Sequence, residues 1–195
     1  MADEISRRAV IVSAAIVPVA ALTAAAQQTA QALSPPQLRI LAAFVDRIIP
    51  RDELGPSASE SDVPVYINRS LGDYLAGEKT AFIEGLEATD AFARRSQNAA
   101  FVDLAPDKQD AILTAMESGS AEGFPNAPAF FNRARRLTLE GMFGDPYYGG
   151  NKNFAGWDLV RYPGPRMATS ADDQKMGVEI KPLHRSAYGS GEHGH

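Results

Sequence analysis

The sequence predicts an all-α protein built from about five amphipathic helices. Apolar residues recur at helical spacing in five separate stretches, and no stretch alternates apolar and polar residues for more than four positions. No Asn-Gly or Asp-Gly dipeptide marks a β-hairpin turn. The chain has 195 residues, 45% of them hydrophobic, which is enough to bury one core. We expect residues 27–165 to form this helical domain.

The first helix is predicted over residues 35–49. Ser34 is a favourable N-cap, Pro35 suits the first helical position, and Pro50 stops the helix. Its apolar stripe consists of Leu38, Leu41, Phe44, Val45 and Ile48. Residues 51–62 contain Gly, Pro and four acidic residues without an apolar period, which predicts a surface loop.

The second and third helices are predicted to follow one another closely. The second begins at Val63 and is expected to end at Gly77, and the third runs from Glu78 to about Gln97. Their apolar stripes are Val65, Ile67, Leu71 and Leu75 in the second helix, and Phe82, Ile83, Leu86 and Ala93 in the third. Within the third helix, Gly85 costs about 1 kcal/mol relative to alanine.

Two further helices complete the predicted bundle. Pro106 opens the fourth, whose buried side is expected to contain Ile112, Leu113 and Met116. The fifth is predicted from about Pro128 to Phe143. On its polar face, Arg136 and Glu140 are spaced i, i+4, which is the spacing of a helical ion pair.

The composition changes after the fifth helix, in residues 144–165. This segment has five glycines, the only tryptophan of the chain and no apolar period. A long loop of this kind is usually functional or disordered, and its aromatic content argues against disorder. One interpretation is an aromatic platform for a partner, because Tyr and Trp dominate interface hot spots. The residues expected to contact the partner are Asp145, Pro146, Tyr147, Tyr148, Gly149, Gly150, Asn151 and Trp157.

A second interpretation is that this loop folds back and covers the helical core. Both interpretations hold together if Phe154 and Trp157 point inward and the tyrosines point outward. The remaining residues 166–195 are rich in Gly, Ser and charged residues, and they predict a flexible tail.

Residues 1–26 have the parts of an export signal: a basic start, an apolar stretch and a small-residue cleavage site. The paired arginines favour the twin-arginine type, which a receptor reads. The predicted signal residues are Ser6, Arg7 and Arg8, with the cleavage region at Ala24 and Ala26. An ordinary Sec signal and a membrane anchor retained over residues 9–26 are the alternatives.

The composition excludes several function classes. The chain has no cysteine, which excludes disulfides, thiolate metal sites and covalent haem attachment. The three histidines are His184, His193 and His195, so the helical body has none for a Ser-His-Asp triad or a His-rich metal site. The net charge of −5 argues against nucleic acid as a partner. We assign no catalytic, cofactor-binding or metal-ligating residue.

An enzyme acting alone would have to use carboxylates. Asp52 with Glu53, or Asp145 with Asp158, are the pairs that could serve glycoside hydrolysis. Their surroundings are polar turns, where a surface acid or a turn-stabilising Asp is the ordinary explanation.

Three stretches resemble a known family. They are RIIPRD at residues 47–52, VPVYIN at 63–68, and LEGMFGDPYYGGN at 139–151 continuing through Gly156-Trp157 to Tyr162-Pro163-Gly164. With them, the body from Leu38 to Gly164 resembles the small subunit of membrane-bound gluconate 2-dehydrogenase, called subunit 3 or the gamma chain. The third stretch is the most specific. The extension after Pro165 has no counterpart in the resemblance.

The resemblance implies a role without catalysis by this chain. In that family, catalysis belongs to a large FAD-containing subunit, and electrons leave through a multihaem cytochrome c subunit, so FAD and haem c are expected in the partners. The small subunit is expected to support folding, stability and twin-arginine export of the large one. The complex would then lie in the periplasm, at the outer face of the cytoplasmic membrane. The alternative is an exported binding or assembly module unrelated to a dehydrogenase.

Overall fold

The computed structural model describes residues 32–189. The predicted export signal at Ser6, Arg7 and Arg8 and the cleavage region at Ala24 and Ala26 lie outside the described residues, so they stay predictions. Within the described range the chain forms six α-helices and no strand, which confirms the all-α fold class. The helices are α1 (Pro35–Ile48), α2 (Val63–Gly72), α3 (Lys79–Gln97), α4 (Pro106–Ser118), α5 (Ala127–Phe143) and α6 (Ala155–Leu159).

Helices α1 to α5 are the five predicted ones, with two corrections in the second helix. Val65 was expected on its apolar stripe but is 46% exposed. The second helix was expected to reach Gly77 but ends at Gly72. The N–H of Leu75 bonds back to the carbonyl of Ser70 at 2.8 Å, which closes the helix in a wider turn. A short 3₁₀ helix, Ala76–Glu78, then leads into α3. Helix α6 was not predicted, because it is a single turn inside the glycine-rich segment.

Helix α5 lies at the centre of the bundle. It packs against α2 and α4 most extensively, and α1 and α3 also contact it. Phe130 and Phe131 on α5 meet the ring of Phe44 from α1, each with its centroid 6.0 Å away. The ring of Phe82 from α3 lies 5.3 Å from that of Phe130, in an edge-to-face arrangement. These aromatic contacts hold the three helices around one core.

Gly85 has a packing role that explains a poor helix former in the middle of α3. A Cβ at this position would lie 2.1 Å from Cδ2 of Phe130, so only glycine allows the ring to sit against the α3 backbone. Gly141 on α5 works in the same way, since a Cβ there would lie 2.8 Å from Cδ1 of Tyr66 on α2. Both glycines let neighbouring helices approach closely.

The chain ahead of α1 is fixed to α2. The side-chain oxygen of Asn68 accepts hydrogen bonds from the backbone N–H groups of Ala32 and Leu33, at 3.0 and 2.8 Å. Asn68 and both of these residues are buried. In the part of the chain that the structure describes, no helix is long and apolar enough to cross a membrane. The alternative of a retained anchor falls on residues 9–26, outside that part.

Candidate functional site

The glycine-rich segment 144–165 folds against the C-terminal end of α5. It contains two 3₁₀ turns, Pro146–Tyr148 and Lys152–Phe154, followed directly by α6. Gly150 and Gly156 make the closest approaches to α5. A Cβ on Gly150 would lie 2.2 Å from the carbonyl oxygen of Gly141, and one on Gly156 would lie 1.8 Å from that of Met142. The loop backbone therefore packs directly on the last turn of the helix.

Asn151 connects the start of this loop to α6. Its side chain is fully buried, and its Nδ2 donates to the carbonyl of Gly144 at 2.8 Å. Its Oδ1 accepts from the N–H of Gly156 at 2.8 Å. The backbone is left-handed here, with φ of 48°, a conformation that asparagine tolerates better than most residues. One amide side chain thus satisfies two backbone groups, the buried N–H of Gly156 and the half-buried carbonyl of Gly144.

Trp157 fills the space between this loop and α5. The side chain is 5% exposed, and its Nε1–H donates to the backbone carbonyl of Phe143 at 3.0 Å. The indole ring contacts Phe154 and Tyr162, with centroids 5.3 and 4.9 Å away. The bond caps a carbonyl at the C-terminus of α5 that has no partner within the helix.

A further connection joins the loop to the start of α2. The backbone N–H of Lys152 donates to the carbonyl of Ser61 at 3.1 Å, and its Nζ lies 3.1 Å from Oδ2 of Asp62. The loop is therefore fixed at α5 and at α2. The sequence carries no signal that pairs these residues across the chain.

The tyrosines of this loop face outward. Tyr147 and Tyr148 are 40% and 45% exposed, and their rings meet edge to face with centroids 5.3 Å apart. Asp145 holds the turn by accepting from the N–H of Tyr147 at 2.9 Å. The expectation was that Phe154 and Trp157 point inward and the tyrosines outward. It is confirmed for Trp157 and the tyrosines, whereas Phe154 is only half-buried. The role of these residues in binding a partner stays a prediction.

A polar network borders the loop and consists of Tyr66 on α2, Tyr74 just after that helix, and Glu140 on α5. The hydroxyl of Tyr66 lies 2.9 Å from that of Tyr74 and donates to Oε2 of Glu140 at 3.2 Å. Burial raises the pKa of Tyr66, and the hydrogen bond with Tyr74 raises it further. Arg136 Nε donates to Glu140 at 2.8 Å, which confirms the predicted i, i+4 pair.

A family model described as gluconate 2-dehydrogenase subunit 3 matches residues 35–164. This range is more than half of the chain and includes all six described helices and most of the loop. The chain belongs to the gluconate 2-dehydrogenase subunit 3 family. The resemblance inferred from the three sequence stretches is confirmed. No curated protein and no solved structure matches the chain.

Membership in the subunit 3 family implies partnership with the other subunits of a gluconate 2-dehydrogenase complex. The family match ends at Gly164, so the tail lies beyond it. Part of the tail nevertheless lies against the glycine-rich segment 144–165, most of which is inside the family match. The N–H of Leu183 donates to the carbonyl of Pro163 at 2.9 Å, and that of Ala187 donates to Oδ2 of Asp145 at 2.8 Å. The flexibility expected for residues 166–195 stays a prediction.

Two of the carboxylates considered for an independent enzyme, Asp52 and Asp158, are engaged in other contacts in the subunit. Asp52 Oδ1 accepts from the backbone N–H groups of Leu54 and Gly55, so it holds a turn. Asp158 Oδ1 lies 2.7 Å from Nε2 of His184. Among residues 32–189, no three His, Cys, Asp or Glu side chains are grouped closely enough to hold a metal ion.

Proposed function

We propose that this chain is the non-catalytic small subunit of an exported, FAD-dependent gluconate 2-dehydrogenase-like complex. In this role it binds the folded catalytic subunit, stabilises it and carries it through the twin-arginine translocase with its own signal. The observation that supports this best is the family match over residues 35–164, which includes the whole helical body and the outward-facing tyrosines.

The geometry of the loop supports its use as the surface that binds the large subunit. Asn151 and Trp157 bond to backbone groups of the loop and of α5, so the loop conformation is fixed before a partner arrives. Tyr147 and Tyr148 are left half-exposed on this fixed backbone. A loop and side chains that are already ordered lose little conformational entropy when a partner binds. Tyr and Trp are also enriched among interface hot spots.

The candidate acids support a non-catalytic role. Asp145 uses its two oxygens for the backbone N–H groups of Tyr147 and Ala187, and Asp52 caps a turn. Carboxylates in such positions stabilise the local backbone, which is the ordinary role of an acid in a turn. As the family membership implies, we propose that FAD is bound by the large subunit and haem c by a multihaem cytochrome subunit.

Binding explains how a subunit without its own chemistry would be useful. A partner that binds only the folded large subunit stabilises it by RT ln(1 + [L]/Kd), which is about 2.7 kcal/mol at a concentration of about 100 Kd. Twin-arginine export carries folded cargo, so this stabilisation would act before the complex reaches the periplasm. The assembled complex would lie at the outer face of the cytoplasmic membrane.

Deleting the gene for this subunit tests the proposal. We expect sugar-acid dehydrogenase activity in the membrane fraction to fall, and the large subunit to accumulate in the cytoplasm. Complementation with the natural chain should restore both, whereas complementation with an Arg7→Lys, Arg8→Lys double variant should not restore export. Unchanged activity and location of the large subunit would contradict the proposal.

A pull-down from native membranes gives an independent test. The tagged subunit should co-purify with a flavoprotein and a c-type cytochrome, which are visible in the absorption spectrum of the eluate. A flavin that stays on the isolated subunit, or oxidation of a sugar by that subunit alone, would overturn the assignment. Co-purification of neither cofactor would favour an assembly module unrelated to a dehydrogenase.

A further inference from the structure

The segment that follows the family match contributes to the same surface as the loop. We infer that residues 183–188 complete the binding surface for the large subunit, so that the large subunit binds the loop and this segment together. The inference rests on the proposed function, but it concerns residues that the family match does not include.

The segment is fixed to the loop through its backbone. The N–H of Leu183 bonds to the carbonyl of Pro163 at 2.9 Å. Gly164 lies beside it with φ of 84°, and a Cβ on this glycine would lie 2.2 Å from the carbonyl oxygen of Leu183. The close contact between the backbone at residue 164 and the backbone at residue 183 therefore requires glycine at position 164.

His184 adds a side-chain connection. Its Nε2 lies 2.7 Å from Oδ1 of Asp158, and its ring stacks on that of Phe154 with centroids 5.0 Å apart and planes 6° from parallel. Asp158 belongs to α6 and Phe154 immediately precedes that helix. The tail is thus attached to the same short helix that carries Trp157.

Tyr188 adds a third ring to the two exposed tyrosines of the loop. Its ring centroid lies 4.9 Å from that of Tyr147 and 5.6 Å from that of Tyr148, and the hydroxyl of Tyr148 bonds to that of Tyr188 at 2.9 Å. This hydrogen bond raises the pKa of Tyr148. Tyr188 itself is 60% exposed, and the other two rings also stay exposed. The tail therefore arranges the tyrosine surface without covering it.

The tail also forms one wall of a groove of about 440 Å³ beside these rings. The loop side of the groove is formed by Phe143, Asp145, Tyr148, Trp157, Val160, Tyr162 and Pro165, and the tail side by Ala187 and Tyr188. Val160 and Tyr162 are exposed at its edge. Without residues 187 and 188 the groove would lack one side.

The charges next to the groove indicate the chemistry of its occupant. A neighbouring depression, which shares Pro165 and Ala187 with the groove, is lined by Arg166 and Arg185. Asp145, the charged residue of the groove itself, already accepts two backbone hydrogen bonds. The surface is thus aromatic at its centre and basic at its edge, which fits an apolar side chain of the large subunit flanked by carboxylates.

Binding of the full chain to the purified large subunit tests this inference. Tyr188→Ala and a chain ending at Pro182 should both raise Kd by about tenfold or more, as loss of a hot-spot residue does. Met176→Ala is the control, because Met176 is fully exposed in the preceding part of the tail. Circular-dichroism melting of each variant checks that the helical body stays folded.

Charge reversal at the edge gives a second readout. Arg185→Glu should weaken binding and reduce its dependence on salt concentration, whereas Lys108→Glu on α4 makes the same charge change away from the surface and should do neither. Unchanged Kd for Tyr188→Ala and for the shortened chain would overturn the inference, and so would tighter binding, which would mean that the tail masks the loop. If the natural chain itself fails to bind the large subunit, the proposed function fails instead.

Discussion

The indole N–H of Trp157 donates a hydrogen bond to the backbone carbonyl of Phe143, the last residue of α5. The bond links the only tryptophan of the chain to the end of the central helix. Together with the Asn151 amide and the bond from Lys152 to Ser61, this contact positions the tyrosine surface relative to the helical bundle. The stability of the loop and its binding properties are therefore expected to change together.

Replacing Trp157 by Phe should destabilise the protein by about 1–3 kcal/mol, because the half-buried carbonyl of Phe143 loses its donor while most of the ring packing is retained. The free energy of unfolding in urea measures the effect. Val160→Ala is the control, since Val160 is exposed in the same loop and should change stability by less than about 0.5 kcal/mol. Equal stability of Trp157→Phe and the natural chain would show that this bond does not hold the loop.

Asn151 and Asn153 form a matched pair for testing the loop amide. Both have a left-handed backbone, but only Asn151 is buried and bonds to Gly144 and Gly156. Glycine at either position keeps the left-handed backbone conformation. Asn151→Gly should lower the free energy of unfolding by about 2 kcal/mol, because two backbone groups lose their hydrogen-bond partner. Asn153→Gly should change the free energy of unfolding little. Urea unfolding of the two variants compares them. A similar loss in both would assign the effect to the backbone and not to the amide.

The helical body was largely predictable because its signals are local. Ser34 with Pro35, Pro106 and the i, i+3, i+7 apolar spacing each act within one helix. The prediction that α2 ends at Gly77 was wrong. The positions of the glycines do not show that the N–H of Leu75 bonds back to the carbonyl of Ser70 and closes the helix earlier. The close approach of Phe130 to Gly85 was also not predicted, since it depends on how two distant helices pack.

The site was only partly predictable, because many of its contacts join residues that are distant in the sequence. The composition of residues 144–165 indicated buried and exposed aromatic residues, and the exposures of Trp157 and Tyr148 agree with it. The central position of Asn151 could have been suspected from asparagine next to glycine, which often adopts positive φ. Nothing in the sequence pairs Asp145 with Ala187, or Tyr148 with Tyr188. These contacts join residues about 40 positions apart through backbone groups and exposed rings.

Gly85→Ala should destabilise the protein by about 1–3 kcal/mol, although alanine is the better helix former. The new Cβ would lie 2.1 Å from the ring of Phe130 and would force that ring out of the core. Gly77→Ala is the control, because nothing lies within 4 Å of a Cβ there, and it should be neutral or stabilising by up to about 1 kcal/mol. Thermal unfolding compares the two variants.

A second substitution separates steric conflict from other causes. Phe130→Leu in the Gly85→Ala background should recover part of the lost stability, because the smaller side chain makes room for the new methyl group. If the two substitutions are simply additive, the contact between Gly85 and Phe130 is not the reason for glycine at this position.

The ion pair between Arg51 and Glu60 predicts a loss of stability in acid. Hydrogen bonds from Arg51 and from the backbone N–H of Ser57 lower the pKa of Glu60 from 4.5 to about 2. A carboxyl whose pKa is lower in the folded chain stabilises the fold when it is ionised. This contribution is fully present above pH 4.5 and is lost as the pH falls toward about 2.

Glu60→Gln tests this pH dependence. The amide cannot ionise, so the decrease in Tm of the variant between about pH 5 and about pH 2 should be smaller than that of the natural chain. Glu53→Gln removes a carboxyl from the same loop but outside the ion pair. The decrease in Tm of this variant between about pH 5 and about pH 2 should be nearly the same as that of the natural chain. Because Arg51 and Glu60 are exposed, high salt should weaken the effect by screening the pair. Identical Tm curves for Glu60→Gln and the natural chain across this range would show that Glu60 does not contribute to acid sensitivity.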